Sequence, residues 1–154
     1  MRITKYNVEL NQNLQNMIVK ESSCNYSADR MDSPIKIVDM MNNIFRLNRQ
    51  AEEHLYMLAF NVKCRLLGVF EISHGTVDCS LVTPREIFIR ALLCGASGII
   101  LIHNHPSQDT NPSREDMQVY RGIKEAGEII GVQLYDNIIV GSDYYSFKEE
   151  NILE

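Results

Sequence analysis

The hydrophobic pattern changes period several times along the chain. From Ile3 to Leu10 apolar and polar positions alternate loosely, as in an edge strand. The polar run 11–16 and the turn-forming stretch 20–32 (KESSCNYSADRMD) follow. Residues 1–33 are therefore expected to be an N-terminal arm wrapped around a domain spanning 34–154. Ser33-Pro34 is a helix start, and Ile37, Val38, Met41, Ile44, Phe45 and Leu47 recur at helical spacing, which predicts a helix over 34–48. Two apolar runs, 54–60 and 65–73, are joined by a connection short enough to force an antiparallel hairpin. Thr83-Pro84-Arg85-Glu86 reads as a capping box opening a helix over 84–95. Residues 98–103 (GIILIH) are almost all apolar, the mark of a strand covered on both faces. Ser113 caps a helix over 114–130 that Gly131 ends, and strands follow over 132–140 and 144–147. This order of elements predicts a mixed α/β fold.

Composition narrows the picture. A chain of 154 residues, 45% hydrophobic and 23% charged, builds one core rather than two. Its net charge of −5 opposes direct non-specific binding to nucleic acid, which depends on Lys and Arg displacing counterions. Cys24, Cys64, Cys79 and Cys94 form no C-x-x-C pair and are expected to be reduced, small apolar residues. No signal-like stretch opens the chain and no apolar run is long enough to span a membrane, so a cytoplasmic protein with no membrane partner is expected.

The candidate chemistry gathers at the end of the buried strand. In an extended strand His103 and His105 point to the same side with Cα atoms about 6.6 Å apart, a gap that two imidazoles can close around one ion. Asn104 points the other way. Asp116, at the start of the following helix, is the natural third ligand, and zinc is the commonest occupant of such a set. Three protein ligands leave one position for water, whose activation calls for a carboxylate that is not itself a ligand. Glu53 and Glu71 both flank the predicted hairpin, and spacing alone does not choose between them.

Blander readings compete. Ser113-x-x-Asp116 is also ordinary helix capping. His54 and His74 are most simply surface or half-buried residues. Ser80, Ser107 and Ser113 lack a nucleophile elbow and a free His–Asp pair. The histidine-first metal barrels need more than about 200 residues. An HNH nuclease takes its letters from residues dispersed over a ββα-metal motif, so the literal string His103-Asn104-His105 does not indicate one.

His103-x-His105, seven residues, Ser113, two residues and Asp116 matches the His-x-His-x₇-Ser-x₂-Asp signature of JAMM metal-dependent isopeptidases. Val82-Thr83-Pro84-Arg85-Glu86-Ile87-Phe88, His103-Asn104-His105-Pro106-Ser107, Pro112-Ser113-Arg114-Glu115-Asp116 and Asp136-Asn137-Ile138-Ile139-Val140-Gly141 resemble the RadC-like JAB domain over 34–148. The resemblance implies a JAB/MPN fold, cytidine-deaminase-like, with a mixed, curved sheet flanked by helices. It implies Zn2+ held by His103, His105 and Asp116, Glu53 as the base that activates the zinc-bound water, and Ser113 helping to hold the oxyanion. The family usually has Gly where Gln108 stands and His where Asn137 stands. Full-length RadC proteins carry a helix-hairpin-helix segment, suited to DNA contact, ahead of this domain, and none is expected within these 154 residues.

The expected function is a zinc-dependent hydrolase of the peptide or isopeptide type, acting on a peptide or protein substrate. The alternatives are a non-catalytic binding module of the same fold in DNA repair or maintenance, and a metal-dependent phosphoesterase or nuclease, which would commonly want two metals.

Overall fold

The computed structural model describes residues 1–75 and 82–152. Cys79, expected to be reduced, and Ser80, weighed as a nucleophile, lie outside the described residues. The described residues form a mixed seven-stranded sheet flanked by three helices, the α/β architecture of a JAB/MPN-like fold. The strands are β1 (Arg2–Leu10), β2 (Asn16–Asn25), β3 (Glu53–Phe60), β4 (Leu66–Gly75), β5 (Gly98–Asn104), β6 (Gln133–Val140) and β7 (Tyr144–Ser146). Their order across the sheet is β2-β1-β4-β3-β5-β6-β7. The helices are α1 (Pro34–Phe45), α2 (Pro84–Leu93) and α3 (Arg114–Ile130).

Each central strand is buried on both faces, and side-chain alternation sorts it into two cores. On one face Tyr56, Leu58 and Phe60 of β3 join Ile100 and Ile102 of β5 beneath Ile37, Val38 and Met41 of α1. On the other, Leu55, Met57 and Ala59 join Ile99 and Leu101 beneath Ile87, Phe88 and Ala91 of α2 and Ile123 of α3. Strand β5 is buried along its whole length, as its apolar run predicts. It pairs antiparallel with β3 and parallel with β6, and α3 provides the crossover between β5 and β6.

Three local expectations differ from the structure. Residues 1–33 do more than wrap the domain: β1 and β2 form a hairpin, and β1 adds to the sheet by pairing parallel with β4 through Lys5–Val69 and Tyr6–Phe70. The segment 3–10 is thus an inner strand, and the edge belongs to β2, whose residues from Lys20 onward read as turn-formers. Thr83 does begin α2, but its side chain makes no cap hydrogen bond, and Glu86 turns instead to Arg85 and Arg90. Cys24 and Cys64 are free, but both are exposed rather than buried as small apolar residues, while Cys94 is half-buried. No helix among the described residues is long and apolar enough to cross a membrane.

Candidate metal centre

His103 stands near the end of β5, buried between Leu55 of β3 and Ile139 of β6. The ladder continues one residue further, because the His105 N–H donates to the Val140 carbonyl at 2.8 Å. The two rings therefore emerge on one side, with their Nε2 atoms 3.1 Å apart. Asp116 arrives from the first turn of α3. Its Oδ1 lies 3.1 Å from His103 Nε2 and its Oδ2 lies 3.4 Å from His105 Nε2. Glu53, the first residue of β3, completes the group with Oε1 at 3.7 Å from His103 Nε2. The ligand atoms of all four side chains lie within 4.8 Å of one another, making a candidate metal-binding group.

The helix that brings Asp116 is built to aim it. Ser113 is its N-cap, with the Asp116 N–H donating to Ser113 Oγ at 3.0 Å and the Ser113 N–H donating to Asp116 Oδ2 at 2.7 Å. The Ser113 hydroxyl also donates to Oδ2 at 2.6 Å. Capping and metal-ligand geometry thus share one carboxylate. Its charge is further favoured by the positive end of the helix.

The donor set suits a divalent ion. His105 Nδ1 lies 2.6 Å from the Asp109 carbonyl, which can only accept, so Nδ1 carries a proton and Nε2 is the atom left to offer a lone pair once an ion displaces the second proton. Burial would raise the Asp116 carboxyl, but hydrogen bonds from His103 and His105 outweigh it and hold the group well below the usual carboxylate range. The hydrogen bond to Asp116 in turn raises the proton affinity of His105. Burial pushes Glu53 the opposite way from Asp116, above its ordinary value, against the pull of the two histidines. One carboxylate is therefore kept ionised while its neighbour holds a proton more readily, the separation that assigns different tasks to paired acids.

Glu71 takes no part in this cluster. It lies on the opposite face, where its carboxylate accepts from Lys5 Nζ at 2.8 Å and pairs with His54 Nδ1 at 2.9 Å. His54 is half-buried and stacks on exposed His74 with ring centroids 5.2 Å apart. Ser107 lines the cavity beside the metal group but has no histidine partner to activate it.

Asn104 escaped sequence reasoning beyond its pointing away from the histidines. It is buried, and its side-chain oxygen accepts the His54 N–H while its Nδ2 donates to the carbonyls of Glu52 and Gln50. The residue between the two histidines thus clamps both sides of Glu53. A buried amide at an apolar strand end was the available signal. Gln108, which stands where the resembling family usually has Gly, adopts a left-handed backbone with φ 68°. Its N–H donates to the His105 carbonyl, and its own carbonyl accepts from the Ser142 N–H and hydroxyl. Gly141 makes room for this loop, since a Cβ there would lie 2.7 Å from the Gln108 carbonyl oxygen. The loop thus keeps the turn without glycine.

The cluster lines a cavity of about 440 Å³ together with Leu55, Leu101, Val82, Val119 and Asn137. Fold and site together define a mixed α/β domain whose central strand delivers two imidazoles and whose crossover helix delivers a carboxylate to one candidate metal centre. The model for the RadC-like JAB domain matches residues 31–152. The chain belongs to that family. Among its relatives are UPF0758 proteins of Pelobacter propionicus and Thermotoga maritima, each 38% identical over 126 residues, which is 81% of this chain and 54% and 55% of theirs. The UPF0758 protein of Clostridium tetani is 44% identical over 103 residues, 66% of this chain and 45% of its own. The chain spans about half the length of these curated relatives.

Proposed function

We propose that this domain is a zinc-dependent hydrolase that cleaves peptide or isopeptide bonds in a peptide or protein substrate. The observation that carries the reading is the convergence of His103, His105 and Asp116 with Glu53, whose ligand atoms lie within 4.8 Å of one another, so that a carboxylate from a second strand stands beside the candidate ligands as proton acceptor. His103, His105 and Asp116 would hold the ion. Zinc bound there would act as a Lewis acid and lower the pKa of a coordinated water to about 7.

Glu53, close to the ligands and half-buried in the cavity wall, takes the proton of the attacking water. It then delivers that proton to the leaving amine as the carbon–nitrogen bond breaks, so the carboxylate is restored at the end of the cycle. Ser113 lines the same cavity, and its hydroxyl can turn from Asp116 toward the substrate's carbonyl oxygen as charge builds there. Asn104 keeps the start of β3 seated on β5, which holds Glu53 at working distance.

The test combines metal analysis of the full chain by mass spectrometry with cleavage of a panel of peptides and isopeptide-linked peptides. About one zinc per chain is expected, with cleavage in the wild type and none in Glu53→Gln, which retains its zinc. Metal-free protein from zinc-replete conditions, or cleavage unchanged in Glu53→Gln, rejects the proposal. Two ions per chain would favour the phosphoesterase alternative.

A further inference from the structure

The cavity beside the metal group is lined by aliphatic side chains and by a buried amide as well as by the candidate ligands. Asn137 is 3% exposed, yet it lines this cavity. Its backbone is fully engaged, with the N–H donating to Asp136 Oδ1 at 2.8 Å and the carbonyl accepting from the Phe147 N–H at 3.1 Å. Its side-chain amide makes no hydrogen bond among the described residues. A buried amide without a protein partner is uncommon and calls for water or a ligand group.

The sheet register sets the distance such a group must cover. Asn137 sits beside Leu101 in the parallel ladder, and Ile139 sits beside His103. The backbone of Asn137 therefore lies two residues, about 6.6 Å along the strand direction, from the level of His103. Leu55, Leu101, Val82 and Val119 line the way. These apolar walls oppose an ionised group, which would lose its hydration there without an opposite charge to replace it. The Asn137 amide supplies one donor and one acceptor face to a neutral polar group.

Resting on the hydrolase reading above, we infer that this cavity is a side-chain subsite and that Asn137 is its specificity-determining residue. It receives the side chain of the residue whose carbonyl is attacked and selects an uncharged chain of glutamine's length that ends in a hydrogen-bonding group. A site that hydrogen-bonds such an end rejects the aliphatic isostere, because its own buried polar group is then left without a partner.

The probes are the hydroxamates of N-acetylglutamine and N-acetylhomoleucine, which share shape but differ in the amide, with that of N-acetylglutamate as the charged control. Their dissociation constants are measured by calorimetry on the zinc-loaded full chain, wild type and Asn137→Leu. In the wild type the glutamine compound should bind at least about tenfold more tightly than the other two. In Asn137→Leu that preference should vanish or reverse toward homoleucine. Equal affinities of the glutamine and homoleucine compounds for the wild type overturn the inference whether or not the variant folds, and so does an unchanged preference in the folded variant. Failure of every hydroxamate to bind protein that retains its zinc also overturns the subsite, whereas failure to retain zinc overturns the hydrolase reading itself.

Discussion

The Asn104 side-chain oxygen accepts the backbone N–H of His54 at 2.8 Å, fastening the residue between the two candidate histidine ligands to the residue that follows Glu53. Its Nδ2 closes the clamp from the other side, on the Glu52 carbonyl at 3.0 Å. Two strands that carry different parts of the site are thereby locked together at the level of the chemistry.

Asn104→Ala removes these bonds and leaves buried backbone groups unpaired, so it should destabilise the domain by about 2 kcal/mol. Zinc content should persist while cleavage falls, because the ligands stay on β5 and α3 and only Glu53 loses its seat. Chemical denaturation, metal analysis and cleavage on the same samples separate the three effects. Loss of zinc in step with activity would contradict the assignment.

His103→Ala should weaken zinc retention by more than the roughly 10- to 100-fold typical of removing an outer partner of a ligand. Competition with a chromogenic chelator measures this. Retention equal to that of the wild type would remove His103 from the ligand set.

Metal affinity should fall as the medium is acidified, beginning above the ordinary imidazole range. Asp116 raises the proton affinity of His105, so in the metal-free protein a proton occupies this ring to higher pH than in a free histidine, and an ion must displace it. For the same reason the metal-free fold gains stability from His105 at pH values below the unfolded histidine pKa and loses it as pH rises through the raised folded value. Zinc titrations at several pH values check the first statement, and urea melts of metal-free protein check the second.

Ser113→Ala removes the N-cap of α3, which should cost about 1 kcal/mol and lower the melting temperature by roughly 2–4 °C. If the hydroxyl also steadies the substrate oxygen, cleavage should drop by about 10²- to 10³-fold beyond the loss of folded protein. Unchanged turnover per folded molecule would leave Ser113 as a cap alone.

Much of this was legible because the signals are local. The bounds of α3 followed from Ser113 and Gly131, which sit at its cap positions as the spacing indicated. The burial of β5 followed from the unbroken apolar run Gly98 to Ile102. The hairpin over β1 and β2 was less legible, because the partner that makes β1 an inner strand is β4, more than sixty residues away.

The choice between Glu53 and Glu71 shows where local pattern stops. The sequence by itself determined that both carboxylates flank a hairpin, that two histidines leave a strand on one side, and that Asp116 opens the next helix. Family resemblance pointed to Glu53, but only the tertiary structure shows why that glutamate, and not Glu71, meets them. The register of β3 against β4 shifts between Leu55 and Tyr56, so Leu55 faces Ser73 while Tyr56 faces Glu71. Regular pairing would have carried Glu71 to the face of Glu53. Because strand side chains alternate with period two, one extra residue reverses every side chain beyond it, and that bulge sends Glu71 to Lys5 and His54 and leaves Glu53 with the histidines.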